Sequence, residues 1–322
     1  MPTPPTSRRF LDPAVLAKLK GLRLRAEHIV EGYVAGLHRS PFQGFSIEFA
    51  EHREYAPGDD LRFVDWKVFG KTDRVYLKQY EEETNLIAYL VLDQSESMTY
   101  QSAAPASNES RRRQPADGAP ATAAPMSKLE YAQTAAAALA YLVLHQQDAV
   151  GLATFDDRVR RVMRPSSSPA TLNQLLLEME RVDAREKTAT GPIFHDLAER
   201  LSRRGVVFIF SDLFDDVDSM LAGLKHFRHR RHDVVVCHVL DPAELDFPFD
   251  QPTLFKGLEG AGEILADPAR LREAYRTEFE AFTTAVATGC RTQGADYLQL
   301  RTDQPLDAVL HRFLAARQQR VR

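Results

Sequence analysis

The sequence predicts an α/β domain: a doubly wound, mostly parallel sheet covered by helices, with a small β-rich unit ahead of it. Two observations carry that expectation. Apolar runs at 86–92 (LIAYLVL), 149–155 (AVGLATF), 206–210 (VVFIF), 234–240 (VVVCHVL) and, more weakly, 296–300 (DYLQL) are hydrophobic at nearly every position. Strands of that kind are buried on both faces. Helical patterns alternate with them over 128–146, 168–182, 193–203, 217–228 and 268–292, and such alternation builds a parallel sheet. A last helix over 305–318 closes a domain expected to span 85–322.

Taken from the start of the chain, residues 1–37 are read as an N-terminal segment built around one amphipathic helix over 13–37. Leu16, Leu19, Leu22, Ala26, Ile29, Val30, Tyr33 and Leu37 recur at helical spacing between lysines and arginines. A basic amphipathic helix can lie on a membrane, but a stripe of this length docks more simply on the protein's own core. Residues 38–84 form the β-rich unit, with alternating runs FSIEFAE and RVYLKQYEEE around a Pro-Gly turn. It is dense in charge and aromatic rings, Tyr55 and Trp66 among them, which suits either a small core or a partner-binding patch. Residues 101–127 are rich in Ala, Pro and Ser around the triplet Arg111–Arg113, and are expected to be a flexible insertion. An antiparallel edge strand is expected over 159–163. A hairpin within 245–266 is expected to join the β-rich unit.

Composition narrows the function. A formal net charge of −4 and a pI near 6.2 do not mark the chain as a nucleic-acid binder. The strongest basic cluster, KHFRHRRHD at 225–233, falls where a helix meets a strand, and cations there offset the helix dipole. Cys237 and Cys290 match no metal spacing and no disulfide framework, which fits a reducing compartment. Cys237, inside an apolar run, reads as a small buried hydrophobe. No apolar run reaches the ~18 residues of a membrane span, and the start has no apolar signal core. A cytoplasmic protein without a transmembrane segment is expected.

The chemistry is expected at the carboxyl ends of the strands, where open parallel sheets bind ligands near the switch point. The first run ends LDQSES and a later one ends FIFSDL, which sets Asp93 and Asp212 at one sheet edge. Residues two apart in an extended loop point the same way, so Ser95 and Ser97 face together. Carboxylates and hydroxyls are hard oxygen ligands suited to Mg²⁺, Mn²⁺ or Ca²⁺. The competing reading is that the serines cap the helix that follows.

The order Asp-x-Ser-x-Ser, a later threonine loop, then FIFSDL resembles the metal-ion-dependent adhesion site of von Willebrand factor A domains. The resemblance maps Asp93, Ser95, Ser97 and Asp212 onto that site. The threonine is Thr188 or Thr190 in REKTATGPIF; the spacing to the glycine favours Thr188, with Ala189 where relatives often have an acid. The stretch REYAPGDDLRFVDWKVFGKTDRVYLKQYEEET is similar to the signature of the bacterial domain of unknown function 58 family. That family couples such a segment to a von Willebrand A-like domain. The resemblance implies a bound Mg²⁺ that accepts a partner's acidic side chain, the partner being a MoxR-type AAA+ ATPase or its client.

An enzyme is the alternative, since LVLD with Mg²⁺ also opens aspartyl-phosphate phosphatases. Those need a second aspartate two residues on, where Ser95 stands. There is no G-x-S-x-G elbow and no P-loop. A non-catalytic interaction module is therefore expected, with no nucleic acid bound. His195, on the helix after the threonine loop, reads as a packing residue, and His226, His229 and His232 lack a carboxylate shell.

Overall fold

Six strands make the central sheet. In chain order they are β3 (Ile87–Asp93), β4 (Ala149–Phe155), β5 (Val159–Ser166), β6 (Val206–Ser211), β7 (Asp233–Leu240) and β10 (Asp296–Arg301). They lie side by side as β10-β7-β6-β3-β4-β5, all parallel except β5, which runs antiparallel to β4 at one edge. This computed structural model describes residues 22–26, 30, 44–54, 68, 70, 75–84, 86–102, 126–181, 190–257, 262–310 and 312–313. The strands between 44 and 84 are described by their backbone alone. The chain divides into two units, Ser40–Leu86 and the combination of Met1–Arg39 with Ile87–Arg322.

The sheet confirms the apolar-run reading. Every residue of β3 is buried, because helices cover both faces. Its odd positions Ile87, Tyr89 and Val91 share one core with Val207 and Ile209 of β6. That core also takes Ile193, Phe194 and Leu197 from helix α3 (Thr190–Arg200), Met220, Leu224 and Phe227 from α4 (Val217–His229), and Val286 from α6 (Pro268–Thr292). On the opposite face lie α1 (Lys128–His145), which packs against β3 and β4, and α2 (Ala170–Glu180). The alanine-rich run of α1 is buried throughout, small side chains letting the helix lie close to the strands. Ser127 and Glu130 close its start with a capping box.

Two glycines bring α3 and α4 together. A Cβ on Gly191 would collide with Ser219 Oγ, and one on Gly223 would fall 2.8 Å from both the Gly191 carbonyl oxygen and Phe194 Cβ. The backbones therefore touch where a side chain would hold them apart. Helix α3 begins three residues earlier than the periodicity predicts, at Thr190. The Gly191-Pro192 pair fits its first turn, where a proline's missing N–H has no intrahelical role.

Of the N-terminal helix read as docking on the protein's own core, residues 22–26 and 30 are described: Leu22, Ala26 and Val30 are buried, and Arg23 Nη1 lies 3.4 Å from Asn173 Oδ1 on α2. The edge strand β5 runs on to Ser166, kept from further pairing by its arginines and Pro165. Strands β8 (Thr253–Lys256) and β9 (Glu263–Ala266) form the expected hairpin, paired antiparallel, and within the β-rich unit β1 (Gly44–Glu54) pairs antiparallel with β2 (Tyr76–Thr84). The expected 101–127 insertion has anchored ends. The Ser102 N–H donates to Asp241 Oδ2 at 3.0 Å, and that of Lys128 to the Tyr100 carbonyl at 3.1 Å. Residues 103–125, and the cluster around Tyr55 and Trp66, lie outside the described residues.

Candidate functional site

Strand order reverses at β3: β4 follows on one side and β6 on the other, so the switch point lies between β3 and β6. Asp93 is the last residue of β3, and Asp212 follows the last residue of β6. Both are buried. The alternation read from LDQSES holds. Gln94 points away and donates its side-chain N–H to the Met179 and Arg181 carbonyls at the end of α2, at 3.1 and 3.2 Å. Ser95 and Ser97 face together with their hydroxyl oxygens 3.0 Å apart. Neither caps a helix: the 3-10 turn Ser97–Thr99 has Glu96 at its N-cap and no side-chain cap bond.

Asp93 is held at both oxygens. Oδ1 accepts the Ser95 N–H at 2.9 Å, and Oδ2 accepts the Ser211 hydroxyl at 2.6 Å. Burial, and then the nearby charge of Asp212, push its carboxyl well above the usual carboxylate range. Asp212 is held by two long-range contacts that periodicity cannot reveal. Lys128 Nζ donates to its Oδ2 at 2.7 Å and to Glu244 Oε1 at 2.6 Å, with the lysine side chain 1% exposed. Burial alone would lower the Lys128 pKa, but the two carboxylates outweigh it and raise it. His238 Nε2 lies 2.9 Å from the Asp212 carbonyl and its Nδ1 lies 2.8 Å from the Tyr297 hydroxyl. A carbonyl can only accept, so Nε2 carries the proton and Nδ1 accepts from Tyr297. Leu213, next in the chain, takes a left-handed φ of 54°, which sharpens the turn out of β6.

Of the predicted residues, Asp93, Ser95, Ser97 and Asp212 come together at the switch point. Thr188 lies outside the described residues. Thr190 is buried, and both its N–H and its hydroxyl donate to Asp215 Oδ2, at 2.6 and 2.7 Å, which ties the start of α3 to the loop before α4. His195 does not approach the site; its ring packs on His226 with centroids 4.1 Å apart. The three histidines after 225 part company, since α4 ends at His229 and His232 is buried against Tyr89 and Phe227. Arg230, from the same basic cluster, pairs with Glu199 on α3. Lys128, Ser211, His238 and Glu244 belong to no motif in the sequence; their only local signals are the SD pair at the end of β6 and a lysine opening α1.

Among the described residues no three His, Cys, Asp or Glu side chains are placed to hold a metal ion. The oxygen set is instead a carboxylate and two hydroxyls, with a second carboxylate bonded to Lys128. Mg²⁺ binds oxygens at about 2.0–2.1 Å, so neighbouring ligands of an octahedron stand about 2.9 Å apart. The Ser95–Ser97 oxygen separation, a hydrogen bond between the two hydroxyls, also matches that edge, and the hard oxygen donors present suit a small divalent cation. Asp93, Ser95, Ser97 and Asp212 would hold it, and it would supply an electrophile for a carboxylate.

The family described as protein of unknown function DUF58 matches residues 51–114 and 117–286. The chain belongs to the DUF58 family. Among its relatives, an uncharacterized protein of Mycobacterium tuberculosis is 28% identical over 315 residues, covering 95% of this chain and 90% of that one. One from Mycobacterium avium is 30% identical over 118 residues, or 36% of this chain and 68% of its own length. Among solved structures, the conserved hypothetical protein BatB from Bacteroides thetaiotaomicron aligns with a TM-score of 0.42 at 15% identity. The alignment covers 73% of this chain and 99% of that one. The SpRpn10 VWA domain aligns with a TM-score of 0.38 at 11% identity, covering 70% and 94%. No described helix of this DUF58 protein is long and apolar enough to cross a membrane.

Proposed function

We propose that this DUF58 protein is a non-catalytic, cytoplasmic protein-binding module whose switch-point oxygens hold Mg²⁺, or Mn²⁺ or Ca²⁺ in its place. The ion accepts an acidic side chain from a partner. The observation that carries this reading is the 3.0 Å pairing of the Ser95 and Ser97 hydroxyls beside the doubly held Asp93 carboxylate. Few charged ligands leave such an ion electrophilic, which suits capture of an anionic group. The partner implied by the sequence resemblance is a MoxR-type AAA+ ATPase or its client. Thr188, two positions ahead of α3 in the chain, is the fifth ligand of the reading.

Phosphatase chemistry is disfavoured on two grounds. Ser95 stands where a second aspartate is needed. Lys128, which could have balanced a phosphate's charge, is bonded to Asp212 and Glu244 instead.

The test uses the purified chain and a purified MoxR-type ATPase, with Mg²⁺ or with EDTA. Wild type is expected to bind in Mg²⁺ and to lose binding in EDTA; Asp93→Ala and Ser97→Ala are expected to lose it in both. Equal binding by folded variants and wild type, unaffected by EDTA, sinks the proposal.

A further inference from the structure

Lys128 is a charged group in a place where charges are costly. Its ammonium is shielded from solvent, pinned between Asp212 and Glu244, and covered by rings: Nζ lies 5.0 Å from the Phe214 centroid and 5.9 Å from that of Tyr100. A lysine kept there balances buried carboxylates, since an unpaired buried charge is strongly unfavourable. The oxygen it occupies, Asp212 Oδ2, belongs to a residue the ion site would use.

A divalent cation and an ammonium cannot share one buried carboxylate comfortably. Like charges in a water-poor pocket repel far more than in solvent. The two partners of Lys128 differ in what they can do about this. Glu244 is fixed: its Oε2 accepts the Asp241 N–H at 2.7 Å, in the capping box of helix α5 (Pro242–Asp246). It remains a counterion whatever happens at Asp212. The lysine side chain has four rotatable bonds and can give up one carboxylate while keeping the other.

We propose that Lys128 is a resident counter-cation for Asp212, exchanged for the divalent cation: when the ion bonds Asp212, the ammonium withdraws to Glu244. This rests on the ion-site reading above and adds a positioning residue to it. The exchange is felt at a distance because Lys128 is also the first residue of α1. Its N–H is bonded to the Tyr100 carbonyl, and Tyr100 covers the ammonium. Two residues on, the Ser102 N–H is bonded to Asp241, the residue that caps α5 together with Glu244. Ion occupancy is thereby coupled to the backbone at 100–102 and at 128.

The experiment is MgCl₂ titration by calorimetry into the full chain, wild type against Lys128→Met, with hydrogen exchange of wild type with and without Mg²⁺. Removing the competing charge is expected to tighten Mg²⁺ binding at least ~10-fold, equivalent to about 1.4 kcal/mol. In wild type, Mg²⁺ is expected to speed exchange of the Ser102 and Lys128 amides several-fold. That second measurement needs no variant, so it stands if Lys128→Met fails to fold. Equal or weaker Mg²⁺ binding by folded Lys128→Met, or unchanged exchange at both amides in Mg²⁺-bound wild type, overturns the exchange and leaves the ion site standing. No Mg²⁺ binding by either protein overturns both.

Discussion

Replacing Gly223 by alanine sets two effects against each other, and the geometry says which wins. Alanine is the better helix former, by about 1 kcal/mol over glycine in a helix interior. Its Cβ would lie 2.8 Å from the Gly191 carbonyl oxygen and 2.8 Å from Phe194 Cβ. Carbon atoms pack best at roughly 3.5–4.0 Å, so helices α3 and α4 must part by about 0.7 Å or more. One obstacle is backbone and the other sits on a fully buried ring, so neither can rotate aside. Overpacking of that kind costs about 1–3 kcal/mol, with the upper half applying where two rigid groups are struck together. The net expectation is destabilisation by about 1–2 kcal/mol, measured by urea denaturation with an unchanged m-value. A gain of about 1 kcal/mol, the propensity effect alone, would refute the claim that α3 and α4 are in backbone contact.

Three further outcomes are expected. His238 is buried and burial lowers its pKa from 6.5 to about 4, so it contributes stability above its unfolded pKa that is lost as pH falls through the folded one. The stability gap between wild type and His238→Gln should therefore shrink by up to about 3 kcal/mol between pH 7 and 4, read by denaturation at each pH; a constant gap contradicts the assignment of a neutral imidazole. Ser127→Ala removes the acceptor for the Glu130 N–H and should cost about 1 kcal/mol by thermal or urea unfolding, with no change in Mg²⁺ affinity. Thr188→Ala should weaken Mg²⁺ binding by calorimetry, whereas Thr190→Ala should lower stability and leave Mg²⁺ affinity within about twofold, since its hydroxyl is spent on Asp215.

Composition and spacing along the chain suffice to place the sheet and to align Asp93 with Asp212. Strands such as LIAYLVL are buried on both faces, so their composition declares them without any knowledge of partners. Alternation in LDQSES was legible for a similar reason, since an extended backbone turns every second side chain to the same side. Periodicity was weaker at ends set by long-range bonds: α3 begins at Thr190 because Asp215 accepts both its donors, and 101–102 and 126–127 are anchored by Asp241 and a capping box. Tertiary structure alone decided the charge balance of the site. Lys128, Asp212 and Glu244 are far apart in the chain, and nothing in a lysine's local pattern says that it will be buried between two carboxylates. Electrostatic partners are chosen by distance in space, and one sequence records only distance along the chain.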